Sequence, residues 1–184
     1  MTMTLKAKQR LRRRQRAVGY VVVAAGWTAS VGLSTLLAPP PWLHAAALFV
    51  HLASLVVALG AVLMVEWYAL LWSTEWRSVR DLWQVDVTLK PLIWTGLAGL
   101  LASGALLEPD LESPLTLTKL AAVLLVSLNG VAITQWTFYL ARFPKHMRFA
   151  ALPPRARVRF IASAVVSQLA WWTAVIIGML NAAN

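Results

Sequence analysis

Six polar side chains stand inside otherwise apolar stretches of this 184-residue chain: His44, His51, Glu66, Lys119, Asn129 and Gln168. Polar and charged groups in hydrocarbon are costly, at roughly 2.5–3.5 kcal/mol for a charge on insertion scales, so each needs a structural or a chemical reason. A neutral imidazole can ligate a metal. His44 and His51 are seven residues apart, about 20° from eclipsed on a helix, and so share one face. Lys119 is either a snorkelling cation reaching headgroups or the acidic residues Glu108, Asp110 and Glu112, or a partner that faces His51 across the structure. Glu66 reads as an interfacial anchor paired with Arg77 or Arg80, or as a proton relay. Asn129 and Gln168 fall near mid-span, where interhelical hydrogen bonds worth ~0.6 kcal/mol explain them.

Other chemistries lack their residues. With no cysteine there is no disulfide framework, thiolate zinc site, iron–sulfur cluster, CxxC pair or covalent c-type haem. The chain has no HExxH, no ladder of carboxylates, no run of intramembrane acids and no glycine-rich phosphate loop. Three histidines, with His146 on a basic loop, cannot serve two bis-His haems, so at most one cofactor site is available.

The elements that must position these groups follow from composition. With 59% hydrophobic and 13% charged residues and a mean hydropathy of +0.66, the chain has more apolar surface than a soluble domain of its size can hide. The fold class is therefore all-α: a polytopic integral membrane protein. A crossing needs roughly 20 apolar residues, and five windows qualify: 17–38, 42–72, 91–107, 115–140 and 160–180. The first resembles a secretory signal, but Pro39 disfavours cleavage after Ala38, so it reads as an uncleaved anchor. Residues 1–16 form a basic tail and 17–184 a single transmembrane domain.

Sixteen of the 17 Lys and Arg residues fall before the first span or in the loops after spans two and four; only Lys119 does not. By the positive-inside rule those segments are cytoplasmic, placing the N-terminus inside and the C-terminus outside the cytoplasmic membrane. The formal charge of +10 then meets anionic lipid headgroups, at about 1 kcal/mol per cation, and not nucleic acid. Trp72, Trp76, Val79 and Trp83 recur at helical spacing, which predicts an interfacial amphipathic helix over 72–84.

Span two aligns with span four, His51 falling on Lys119 and Trp67 near Trp136. Span three aligns with span five, Trp94-Thr95-Gly96 on Trp172-Thr173-Ala174. This predicts a four-helix bundle of two repeated hairpins, with the N-terminal helix added outside. Small residues at i+4 (Gly26/Ser30/Ser34, Ala98/Ala102, Gly99/Ser103, Ala170/Ala174/Gly178) are packing positions. Trp27, Trp171 and Trp172 lie mid-span, as packing residues or as walls for a flat cofactor.

Leu43-His44, or Phe49-Val50-His51 followed by Gly60, together with Thr118-Lys119-Leu120 followed by Asn129-Gly130, resembles the HemJ-type protoporphyrinogen oxidases and, more loosely, CopD-like membrane domains. The resemblance covers spans two to five and implies haem b held by His51 and Lys119, with His44 nearby and His51 as the metal ligand. Two features depart from it: Glu66-Trp67-Tyr68 stands where the family has a Tyr-Leu-Pro-Arg-Leu-like segment, and the second half of span four has no His. The leading expectation is an accessory or structural membrane subunit docking within a larger membrane complex or a homo-oligomer. The alternatives are a haem b protein, acting as an oxidoreductase, with a site between helices two and four, and a small-molecule or ion conduit.

Overall fold

The structure, a computed structural model, describes the backbone of residues 5–183 and the side chains of 10–134, 136 and 139–181. It contains five long helices: α1 (Leu5–Ser34), α2 (Pro41–Ser73), α3 (Val79–Gly104), α4 (Pro114–Leu140) and α5 (Pro154–Ala183). A 3₁₀ turn (Phe149–Ala151) interrupts the last connection, and no strand occurs among the described residues. Each long helix is long and apolar enough to cross a membrane. Of the expected basic tail, residues 1–4 lie outside the described residues, and the rest already belongs to α1. The helices run past the apolar windows because Lys, Arg and Gln favour helix as well as leucine does. Thus α3 begins at Val79 instead of 91, and α5 spans Pro154–Ala183 instead of 160–180, whereas α1 stops at Ser34, short of 38.

Proline opens three of these helices, at Pro41, Pro114 and Pro154, where its missing N–H would have had no intrahelical partner. The α2–α3 turn is built differently. Glu75 sits in the left-handed region at φ 66°, the Trp76 N–H bonds Leu71 O at 2.8 Å, and the Glu75 N–H bonds Trp72 O at 3.1 Å. This is a Schellman closure with glutamate in the place glycine usually takes. Ser78 then caps α3: its Oγ accepts from the Asp81 N–H, and its own N–H donates to Asp81 Oδ2 at 3.0 Å. These two devices replace the interfacial helix expected over 72–84 with the end of α2, a tight turn and the start of α3.

Trp72 therefore points inward. Only 1% exposed, it donates Nε1–H to Met147 O at 2.8 Å and meets Phe149 and Phe160 edge-on at 5.1 and 5.8 Å. Around it Ala69, Val79, Leu82, Leu140 and Leu152 form an apolar cluster that ties both helical hairpins together at one end. A second cluster fills the middle of the molecule, with Ala58, Leu97, Leu100, Val126 and Trp171 buried.

The closest helix contact is within α2–α3. A Cβ at Gly96 would stand 2.7 Å from Ala58 Cβ and 2.8 Å from Ser54 O, and one at Gly99 would overlap Ser54 Oγ. Small residues let two backbones meet where lipid supplies no hydrophobic drive between helices. Helix α1 lies along α3 and α4: Ser30 Oγ donates to Leu101 O (2.6 Å), Trp27 Nε1 to Leu120 O (3.0 Å), and Gly19 abuts Val131. Of the expected packing positions on α5, Ala170 is buried, whereas Gly178 faces open space.

Candidate functional site

His51 lies on the face of α2 that meets α3. Ser103 Oγ donates its proton to Gly99 O at 2.5 Å, so at the 3.0 Å contact with His51 it is the imidazole Nδ1–H that donates. Lys119 is near enough to the ring to interact with it electrostatically. His44 sits two turns away, half-buried in the first turn of α2, and does not share this contact.

The residues around His51 do not fit a haem. The imidazole packs against α3, with Cε1 3.7 Å from where a Cβ at Gly104 would stand. The interior between the hairpins is filled by Leu97, Leu100, Val126 and Trp171. A ligand-sized space, roughly 300–1,000 Å³ for ordinary small-molecule sites, exists elsewhere in the molecule. Its lining includes none of the three histidines.

Glu66 pairs neither with Arg77 nor with Arg80. It reaches across to α5, where Gln168 Nε2 donates to Oε2 at 2.5 Å. Gln168 in turn accepts from Trp172 Nε1 at 2.8 Å. The basic-end ion pair is instead Arg148 Nε to Glu75 Oε1 at 2.6 Å. That carboxylate pushes the guanidinium further above its ordinary range, so Arg148 keeps its charge at all working pH values. Asn129 and Ser163 close a reciprocal ring between α4 and α5: Asn129 Nδ2 donates to Ser163 O at 2.8 Å and Ser163 Oγ to Asn129 Oδ1 at 2.7 Å.

Two features have no counterpart in the sequence-based reading. Asp86 is buried inside α3 and accepts from Lys90 at 2.8 Å, one turn on, so Lys90 belongs to a helix and not to a loop. The other is the large cavity. It measures about 1130 Å³ and is bounded by α1, α4 and α5, with Trp94 of α3 reaching it. Arg12 and Arg16 line it from α1, Arg155 and Arg159 from α5. Each pair is spaced i,i+4, a signal readable in the sequence. Their convergence from opposite ends of the chain is not.

Comparison with known proteins gives no significant match to a family model, a curated protein or a solved structure. The resemblance to HemJ-type and CopD-like proteins thus rests on the residues quoted for it alone.

Proposed function

We propose that the chain is an integral protein of the cytoplasmic membrane, N-terminus inside and C-terminus outside, that serves as an accessory or structural subunit of a larger membrane complex. Helices α2–α5 act as a bundle of two hairpins, and α1 is an added flank. The observation that carries this reading is where the intramembrane polar groups are spent. Asn129, Gln168, Glu66, Ser30, Trp27 and His51 each hold one helix to another through hydrogen bonds. The outward faces carry large apolar side chains such as Phe49, Val56, Trp67 and Leu169, all more than half exposed. Apolar surface of this kind suits lipid or a neighbouring subunit.

Mild solubilisation of membranes followed by native electrophoresis and an absorption spectrum of the same band tests this. The expected result is a colourless species well above the 20.2 kDa of one chain, with a second polypeptide in fixed ratio. A Soret band that His51→Ala abolishes would overturn the reading in favour of a haem protein. Migration as a single chain would remove the complex.

A further inference from the structure

The arginine-lined cavity is larger than packing alone requires, and its chemistry is divided along its length. From Arg12 to Val23 is about 16 Å along α1 at 1.5 Å per residue, and over that distance the lining changes from Arg12, Gln15 and Arg16 to Gly19, Val22 and Val23. On the facing side Arg155 and Arg159 give way to Val131, Ala132 and Trp94. Helices α1 and α5 both lean on α4 and scarcely touch each other, so the wedge between them is open to the side.

Charge decides what fits. Arg12, Arg16, Arg155 and Arg159 border one space, and among the described lining residues none is acidic. Arg16 also lies over the Tyr20 ring, 5.9 Å from its centroid, which holds its guanidinium near the wall of α1. Pro153, just before α5, and Arg155 and Ala156 in its first turn line the cavity, so the positive end of that helix dipole faces the same region. Four guanidinium groups bordering one apolar recess make its basic end favourable to an anion, and guanidinium groups bind phosphate through paired, charge-assisted hydrogen bonds. An apolar tail attached to that anion would cover Val22, Val23, Val131 and Trp94.

We infer that this cavity is a binding site for one anionic phospholipid of the cytoplasmic leaflet, its phosphate among the four arginines and its acyl chain along α1 and α4. The inference rests on the membrane orientation proposed above. Basic pockets between membrane helices on this side are a recurrent means of holding anionic headgroups. A bound lipid would fill the wedge and fasten α1 to α5.

The test uses full-length protein purified from membranes in detergent, with native mass spectrometry counting retained lipid. Phosphatidylglycerol and phosphatidylcholine are the probes, and glycerol phosphate is the competitor. Wild type is expected to retain one phosphatidylglycerol per chain and no phosphatidylcholine. The variant R12Q/R16Q/R155Q/R159Q is expected to lose at least tenfold in apparent affinity. The control R77Q/R80Q/R142Q/K145Q removes the same charge from the same end outside the cavity and is expected to lose less than threefold. Ala132→Phe fills the recess without touching charge and is expected to lower retention at least fivefold.

Equal losses in the two quadruple variants would replace the site with diffuse surface attraction and overturn the proposal. So would full retention in Ala132→Phe. Competition by glycerol phosphate at the lipid's own concentration would make the ligand a soluble phosphate and not a lipid. A chain absent from the membrane fraction would overturn the membrane placement on which the inference rests, and the inference with it.

Discussion

Trp72→Ala should be among the most destabilising single substitutions in the chain, at about 3–5 kcal/mol for a buried aromatic truncated to alanine. The side chain is 1% exposed, contacts Phe149 and Phe160 edge-on and donates to the Met147 carbonyl, so both packing and a buried hydrogen bond are lost. Trp72→Phe keeps much of the ring contact but leaves that carbonyl without its donor, which costs roughly 1–3 kcal/mol. Trp76, four residues on and 82% exposed, should tolerate alanine with a change within about 0.5 kcal/mol. Reversible unfolding in mixed micelles, followed by the remaining tryptophan fluorescence, orders the three variants. Equal losses at Trp72 and Trp76 would mean that both lie in an interfacial helix, and the aromatic junction described here would be wrong.

Gly96→Leu should come close behind. The backbone of α2 occupies the space a side chain at Gly96 needs: Ser54 O and Ala58 N would stand 2.8 and 2.9 Å from the new Cβ. Neither atom can rotate away, so the helices must separate, at the top of the roughly 1–3 kcal/mol range for overpacking or above it. Gly178 is the internal comparison, because nothing lies within 4 Å of a Cβ there. Gly178→Ala should be neutral or stabilising by up to about 1 kcal/mol, since alanine restricts the helical backbone more than glycine does. The same unfolding assay checks both. A tolerated Gly96→Leu would show that α2 and α3 do not meet at this point.

The five helices were legible because hydropathy over a window is a local property. Their true ends were not. The turn after α2 carries Glu75 where a Schellman closure normally announces itself with glycine, so the helical spacing of Trp72, Val79 and Trp83 seemed to continue through it. In fact Trp72 and Trp83 belong to separate helices. The polar residues were legible as a set, since each stands out against its apolar neighbours, but their partners were not. Glu66 passes over the arginines near it in sequence and meets Gln168, 102 residues away. Ser103, whose Oγ accepts the His51 hydrogen bond, was visible only as a small packing residue.

The alignment of span three with span five illustrates how little an aligned pair says about roles. Trp94 and Trp172 align in sequence, yet Trp94 lines the cavity and Trp172, 47% exposed, bonds Gln168. The arginine cavity needed three helices in register. Its i,i+4 pairs were readable one helix at a time, whereas their meeting depends on α1 and α5 packing against the same neighbour.

Everything proposed about lipid, charge and depth depends on which end of the helices faces the cytoplasm. Paired topology reporters, one active only inside and one only outside, fused in turn before residue 17, within 108–114, near Pro153 and after Asn184, measure this directly. The account predicts inside signals before residue 17 and near Pro153, and outside signals within 108–114 and after Asn184. An inside signal from the C-terminal fusion would contradict the five-crossing arrangement and, with it, the placement of the arginine cavity in the cytoplasmic leaflet.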